Sequence, residues 1–220
     1  MPDTALYHRL NKEVTAAGGT LVAVSKKRPT ADIMALYELG HRDFGENRVA
    51  ELVEKHAALP KDIRWHFIGH LQRNKVRAIA PFIHLIHAVD SERLLREIDK
   101  QARAAERVIP VLLQFHVARE ESKYGLDRAG ADELLASLRD RPVTHARIAG
   151  LMGMATYTDD REQVSNEFQQ LADLHAHYKA GDLGADAGYK ELSMGMSGDY
   201  PLALERGSTL VRVGSLLFGG

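Results

Sequence analysis

A lysine follows a short apolar segment near the start of the chain. Residues 20–25 read TLVAVS, and Lys26 comes directly after them. Because side chains alternate along a strand, Val22, Val24 and Lys26 share one face of the predicted strand. If the valines point into a core, Lys26 does too, and burial favours its neutral amine. Such an amine can form a Schiff base with an aldehyde. The alternative interpretation is a solvated basic loop that precedes a helix.

Two segments near the carboxyl terminus are rich in small residues. Residues 193–199 read SMGMSGD, and residues 212–215 read RVGS. Small residues expose backbone N–H groups, and a helix amino terminus adds partial positive charge, so both features favour a phosphate. The alternative is a pair of ordinary glycine-rich turns. The phosphate interpretation is the stronger one if both segments lie at the same face of the protein as Lys26.

The histidines do not form a convincing metal-binding pattern. His66 and His70 are four residues apart, but the segment reads as strand followed by loop, with no acidic or thiol partner in phase. The pairs His84 with His87 and His175 with His177 lack a third ligand at a suitable spacing. The chain has no cysteine, which excludes disulfides and thiolate chemistry. We therefore predict no metal site.

Composition indicates a soluble globular protein. Hydrophobic residues make up 45% and charged residues 27% of the 220 residues, and the formal net charge is −1. This balance gives no reason to expect nucleic acid or an anionic membrane as a partner. There is no amino-terminal apolar segment typical of a signal peptide and no apolar run long enough to span a membrane. We expect a cytoplasmic protein.

Strand-length apolar runs alternate with helical patterns along the whole chain. We predict strands at residues 20–25, 42–45, 64–69, 82–89, 109–117, 147–155, 189–194 and 209–213. Predicted helices cover residues 31–39, 46–58, 73–80, 91–107, 129–138, 161–179 and 200–206. Eight strands, each but the last followed by a helix, predict a single-domain α/β protein, a (β/α)8 TIM barrel over residues 1–220. An open doubly wound sheet is the alternative.

The end of the second predicted strand carries Gly45 and Glu46. The glycine permits close approach of the backbone, and the glutamate suits the first turn of the following helix. In a barrel, polar residues at carboxyl strand ends form the active face. Glu46 is therefore either a site residue or simply a favourable charge at a helix terminus.

Five collinear segments resemble the pyridoxal phosphate homeostasis protein family, also called the YggS/PROSC group. They are AVSK at residues 23–26, FGEN at 44–47, WHFIGHLQRNK at 65–75, SMGMSGD at 193–199 and the segment 212–219 that ends in Phe218-Gly219. Together they span nearly the whole chain. The resemblance implies the barrel fold of the alanine racemase N-terminal domain and binding of pyridoxal 5′-phosphate (PLP).

The resemblance also implies roles for individual residues. Lys26 would form the internal aldimine, Arg212 would face the pyridine nitrogen, and Asn47 would lie beside the ring. Lys123 matches a further family lysine near the mouth of the pocket. The residues expected to hold the phosphate are Ser197, Gly198, Gly214 and Ser215. Arg28 is a departure, because relatives often have lysine there and arginine cannot form an aldimine.

The function implied is that of a cofactor carrier. The protein would hold PLP on Lys26 and supply it to PLP-dependent apo-enzymes or buffer it, without a catalytic residue of its own. An arginine opposite the ring nitrogen disfavours its protonation and weakens the ring as an electron sink, although alanine racemases tolerate the same arrangement. The alternative is an amino-acid racemase, whose second acid–base group would have to come from Tyr7, Tyr124, Tyr157 or Tyr200. We expect a monomer.

Overall fold

The computed structural model describes residues 2–118, 124–181 and 183–219. Within these ranges the strands are β1 (Thr20–Val24), β2 (Asp43–Glu46), β3 (Arg64–Phe67), β4 (Leu85–Val89), β5 (Ile109–Gln114), β6 (Ala146–Met152), β7 (Glu191–Ser193) and β8 (Leu210–Val213). The α-helices are α1 (Thr4–Ala16), α2 (Thr30–Glu38), α3 (Val49–Ala58), α4 (Val76–Ile79), α5 (Glu92–Ala104), α6 (Arg128–Asp140), α7 (Arg161–Ala180), α8 (Tyr200–Glu205) and α9 (Ser215–Phe218).

The eight strands form a closed parallel barrel in chain order. β1 closes it by pairing with β2 on one side and with β8 on the other, so that Ala23 lies opposite both Phe44 and Val213. The predicted (β/α)8 fold is confirmed, and the open-sheet alternative is wrong. In this arrangement the carboxyl ends of all strands reach the same mouth of the barrel.

Apolar side chains pack on both faces of the barrel wall. The larger cluster includes Leu21, Ala23 and Trp65 and lies between the strands and the helices. A smaller cluster contains Val22, Leu112 and other residues of the alternate strand positions, and it fills part of the barrel interior. Because side chains alternate along a strand, a polar residue whose two neighbours face the helices points into this interior. They form part of the site described below.

The first helix was missed by the sequence analysis. α1 begins after Asp3, whose carboxylate accepts a hydrogen bond from the Leu6 N–H group at 2.9 Å. Its buried residues are Tyr7, Leu10 and Val14, a stripe of helical spacing that the polar residues between them obscure. Among the described helices, none has both the length and the apolar character needed to cross a membrane.

Several predicted boundaries differ from the observed ones. The helix predicted from residue 46 begins at Val49, because Glu46 is the last residue of β2. The strand predicted from residue 82 begins at Leu85, and the predicted helix at 73–80 consists of a 3-10 turn followed by α4. Apolar content extends beyond the hydrogen-bonded ladder in such places, so hydrophobicity alone sets the boundaries too wide.

Candidate functional site

Lys26 lies at the carboxyl mouth of the barrel, two residues beyond the end of β1. Val22 points into the barrel interior, as the alternation predicted. The Lys26 side chain itself is exposed, however, so the prediction that the protein buries this amine was wrong. The strand ends at Val24, and Lys27 adopts a left-handed backbone conformation with φ of 60°. The chain therefore leaves the barrel wall here, and Lys26 is accessible to a ligand at the mouth.

A buried ion pair lies directly beneath this loop. The ammonium group of Lys55 on α3 is 2.7 Å from a carboxylate oxygen of Glu46, and the Glu46 side chain is fully buried. Ser25 donates its hydroxyl to the same oxygen at 2.6 Å. Burial raises the pKa of Glu46, although the hydrogen bonds from Lys55 and Ser25 act in the opposite direction. Glu46 is therefore a buried partner of Lys55 rather than a charge at a helix terminus.

The same lysine fixes the backbone on either side of Lys26. Lys55 donates a hydrogen bond to the carbonyl oxygen of Ser25 at 2.7 Å and another to Glu51 at 2.7 Å. Glu51 in turn accepts a hydrogen bond from the Lys27 N–H group at 2.5 Å. The residues before and after Lys26 are thus tied to α3 through one buried cation. The i, i+4 spacing of Glu51 and Lys55 was a signal for part of this network.

The segments after β7 and β8 meet at the end of β1. The Ser197 hydroxyl accepts hydrogen bonds from the N–H groups of Gly214 and Leu216 at 3.3 and 3.4 Å. Gly214 packs so closely on Val24 that an added Cβ would lie 3.1 Å from the Val24 carbonyl oxygen. Gly198 and Ser215 are exposed beside them. The predicted phosphate residues therefore lie at the same mouth as Lys26, with N–H groups held by long hydrogen bonds.

Arg212 is a buried cation on the inner face of β8. Only 4% of the residue is exposed, and its pKa is lowered to about 10, chiefly by burial. It donates hydrogen bonds to the Ser193 hydroxyl at 2.5 Å and to the Gly153 carbonyl at 3.0 Å. Both acceptors are neutral. Among the described residues, Arg212 has no carboxylate within hydrogen-bond distance, so its charge favours a further acceptor at the mouth.

Asn47 follows β2, next to β1 in the barrel, and is half-buried. It lines a cavity of about 650 Å³ together with Phe67, His70 and Lys75. None of the other predicted site residues is among the residues that line this cavity. Asn47 thus comes directly after the strand that neighbours β1, and it also lines a separate space between α3 and the segment that follows β3.

Two further predicted positions have different outcomes. Arg28 donates a hydrogen bond to the carbonyl of Gly219, and its guanidinium lies 5.6 Å from the centre of the Phe218 ring. It therefore ties the loop after β1 to α9 and the residue that follows it. Lys123 lies outside the described residues.

The tyrosines considered as acid–base groups are dispersed. Tyr7 is buried beside His41, with a ring-centre distance of 5.4 Å. The Tyr200 hydroxyl donates to Glu13 of α1 at 3.0 Å. Tyr124 stacks on His70 at 4.2 Å, and Tyr157 is 97% exposed. Tyr7 is thus a buried residue of α1, and Tyr200 is bound to the same helix.

Two histidines that looked isolated in the sequence, His66 and His87, are buried inside the barrel. His66 Nε2 is 3.1 Å from a carboxylate oxygen of Asp43, an acidic partner that the sequence analysis did not find. His84 completes a group whose ligand-capable atoms lie within 4.8 Å of one another. Arg64 donates to both carboxylate oxygens of Asp43, at 2.7 Å through its Nε. Asp43 is therefore already paired with a cation.

Known proteins share this architecture and resemble this chain in sequence. The family profile described as "Alanine racemase, N-terminal domain" matches residues 4–220. A protein of Aquifex aeolicus named "Pyridoxal phosphate homeostasis protein" is 36% identical over 220 residues, 97% of this chain and 94% of that relative. The alanine racemase of Bartonella henselae has the same fold, with a TM-score of 0.73 and 19% identity, and this chain covers 59% of it.

The solved structures of PipY from Synechococcus elongatus PCC7942 are closer in sequence and in size. Without PLP, PipY superposes with a TM-score of 0.89 at 34% identity, covering 98% of this chain and 99% of PipY. With PLP bound, the TM-score is 0.85.

Fold and profile together define a barrel of the alanine racemase N-terminal type. At 36% identity over almost the entire length of the Aquifex relative, the chain belongs to the pyridoxal phosphate homeostasis protein family.

Proposed function

We propose that this single-domain protein binds PLP as a reversible Schiff base on Lys26 and supplies or buffers the cofactor for PLP-dependent enzymes. The observation that carries the proposal is the exposed Lys26 amine at the barrel mouth, held between two backbone contacts to α3 and next to the segments after β7 and β8. When PLP is bound, its aldehyde condenses with a primary amine, and water leaves as the C=N bond forms. The names of the relatives point to the same cofactor.

The residues around Lys26 fit the chemical groups of PLP. The N–H groups of Gly214 and Leu216 now donate to one hydroxyl oxygen through long bonds, and a phosphate oxygen would be a stronger acceptor for them. Ser197, Gly198 and Ser215 would complete this phosphate site. Arg212 would donate to the ring nitrogen, and Asn47 would lie beside the ring.

The buried Arg212 is compatible with the carrier function that the names of the relatives indicate. Its charge opposes protonation of the ring nitrogen, which weakens the ability of the bound ring to accept electrons. Of the tyrosines considered as a second acid–base group, Tyr7 and Tyr200 give no support to racemisation, since they contact His41 and Glu13. We propose that the protein acts without catalysis of its own, as a monomer of the cytoplasm.

A spectral titration tests the attachment. The purified protein is mixed with PLP, and the visible absorption band of a Schiff base is followed in wild type, Lys26→Arg and Lys27→Arg. Both variants keep the positive charge, but arginine cannot form the bond. We expect the band in wild type and Lys27→Arg and its loss in Lys26→Arg. A band that persists in Lys26→Arg would refute the assignment.

Two assays separate carrier from enzyme. The PLP-loaded protein is incubated with an apo-enzyme, and recovery of that enzyme's activity is compared with recovery under an equal amount of free PLP. Racemisation of alanine is measured on the same preparation. We expect transfer to the apo-enzyme and no turnover of alanine. Turnover at about 1 per second or more, typical of enzymes, would establish the racemase instead.

A further inference from the structure

A row of buried polar side chains crosses the barrel interior from its carboxyl mouth toward its amino mouth. Each member comes from a different strand, and none is more than 6% exposed. In order, the members are Arg212 of β8, Ser193 of β7, His87 of β4, His66 of β3 and Asp43 of β2. An apolar core has no need of such a row, because every buried polar group must find a partner to offset its lost hydration.

The members are linked by hydrogen bonds from end to end. Arg212 Nη1 and Ser193 Oγ are 2.5 Å apart, and Ser193 Oγ lies 2.9 Å from His87 Nδ1. His87 Nε2 lies 2.9 Å from His66 Nδ1, and His66 Nε2 lies 3.1 Å from Asp43 Oδ1. Both nitrogens of each imidazole are therefore used, and the chain connects a guanidinium to a carboxylate.

The two ends determine the direction of the hydrogen bonds. A guanidinium only donates and a carboxylate only accepts. If both imidazoles are neutral, all contacts are satisfied in one arrangement: Arg212 donates to Ser193, Ser193 to His87 Nδ1, His87 Nε2–H to His66 and His66 Nε2–H to Asp43. Reversing His66 would place a bare nitrogen against the Asp43 carboxylate, and reversing His87 alone would place two bare nitrogens against each other.

The protonation states agree with this arrangement. Burial, together with the neighbouring His66 and Arg212, holds the pKa of His87 well below its usual value, so His87 is neutral at neutral pH. Burial alone would raise the pKa of Asp43, but the hydrogen bonds from His66 and Arg64 lower it well below its usual value. Asp43 is therefore ionised, and the chain has a cation at one end and an anion at the other.

We infer that Ser193, His87 and His66 are positioning residues that hold the Arg212 guanidinium in place as a donor at the barrel mouth. Their hydrogen bonds connect the buried Arg212 cation to the Asp43 carboxylate, and aligned hydrogen bonds strengthen one another in a low dielectric. The role of Arg212 toward the ring nitrogen of PLP rests on the proposed function. The direction of the hydrogen bonds does not rest on the proposed function, because it is a property of the protein without ligand.

Nitrogen NMR of the histidine rings tests the chain in the protein alone. In the ligand-free protein with ¹⁵N-labelled histidine, we expect the Nε2–H tautomer for both His66 and His87 at neutral pH. Ser193→Ala should also shift the ring signals of His66, which does not contact Ser193. His175→Phe, a histidine of α7 that is not part of the chain, should shift neither ring. An Nδ1–H tautomer or a charged ring at His87, or a His66 signal indifferent to Ser193→Ala, would overturn the inference.

A binding measurement tests the positioning role. We expect His87→Phe to weaken PLP binding about tenfold and to change the visible band of the bound cofactor, whereas His175→Phe should leave both unchanged. His87→Asn, whose amide oxygen can accept from Ser193 in place of Nδ1, should recover part of the affinity. This variant also serves if His87→Phe does not fold, as judged by circular dichroism.

The outcomes distinguish this inference from the proposed function. Wild-type affinity in a folded His87→Phe or His87→Asn variant would overturn the positioning role. Failure of the wild-type protein to bind PLP would refute the proposed function, whereas the tautomers found by NMR would still support or overturn the chain.

Discussion

Lys26 and Lys27 are adjacent lysines, yet their contacts in the loop differ. The Lys27 N–H group is bound by Glu51, and its backbone is left-handed, so this residue is part of the turn. Lys26 lies between the anchored Ser25 carbonyl and the anchored Lys27 N–H group, with its own side chain exposed. The loop thus holds the backbone of Lys26 while its amine is accessible to an aldehyde.

The Lys55 ammonium is the group on which this anchoring depends. We expect Lys55→Met to lower the free energy of unfolding by about 3 kcal/mol at neutral pH, because it leaves the Glu46 carboxylate buried without a cation. The loss should shrink as the pH falls to about 5. Burial raises the pKa of Glu46, so the folded state binds its proton more readily than the unfolded state, and protonation removes the buried charge.

Urea unfolding at both pH values measures this effect. Lys100→Met, which removes an exposed lysine of α5, should change the free energy of unfolding by less than about 0.5 kcal/mol. A Lys55→Met variant as stable as Lys100→Met at neutral pH would contradict the anchoring role.

Two glycines of the predicted phosphate site differ in the space around them. A Cβ at Gly214 would press on Val24, whereas one at Gly198 would meet nothing within 4 Å. We expect Gly214→Ala to weaken PLP binding about tenfold, because the segment after β8 must shift away from β1. Gly198→Ala keeps its N–H group and should bind as wild type. Equal affinities in a fluorescence titration of the two variants would argue against this account of the site.

At the scale of elements, alternation of strands and helices was readable from the sequence because each barrel strand is a short local apolar run. All eight strands were predicted near their observed positions. Helix α1 was missed because only three of its residues are buried and polar residues separate them in the sequence. Predicted ends were too long where apolar residues continue past the ladder, as before β4.

Contacts between distant strands were not readable in the same way. Lys26 stood out because it follows an apolar strand, and Ser197 because it lies in a segment of small residues, whereas the role of Arg212 was implied by the family resemblance. The pairing of Glu46 with Lys55 joins β2 to the helix that follows it, and the chain through His66 and His87 depends on which side chains meet inside the closed barrel. Period-two alternation predicts the face of a strand, but it does not predict the partner on another strand.

The contact between β6 and β7 depends on Gly150. Its φ is 155°, and an added Cβ would lie 1.7 Å from the carbonyl oxygen of Glu191 on β7. We expect Gly150→Ala to lower the free energy of unfolding by more than about 3 kcal/mol, because the two strands must separate. Gly198→Ala is the control in chemical denaturation and should behave as wild type. A Gly150→Ala protein of wild-type stability would show that the barrel tolerates a wider gap here.

At the scale of the whole molecule, a ligand that binds only the folded barrel stabilises it. We expect free PLP at 100 times its dissociation constant to raise the free energy of unfolding by about 2.7 kcal/mol. At the same PLP concentration, the gain should be smaller in Lys26→Arg, which loses the covalent bond, and unchanged in Lys27→Arg. Unfolding in urea with and without PLP measures the difference. Equal gains in all three proteins would place PLP binding away from Lys26.

The closed barrel places the predicted cofactor site at its mouth and the side chains that hold Arg212 in its interior. Neighbouring strands β7, β8, β1 and β2 bring the predicted site residues to one mouth. The interior contains apolar side chains and the polar row from Arg212 to Asp43. The pairing of β1 with β8 closes the barrel and brings Lys26, which follows β1, to the strand that carries Arg212.

Chemical trapping of bound PLP tests the central claim most directly. The PLP-loaded protein is reduced with borohydride, which makes the C–N bond permanent, and is then digested and mapped by mass spectrometry. We predict that the label lies on Lys26 in wild type and in Lys27→Arg, and that Lys26→Arg retains no label at comparable loading. A label distributed over several surface lysines, or carried mainly by a residue other than Lys26, would contradict the account.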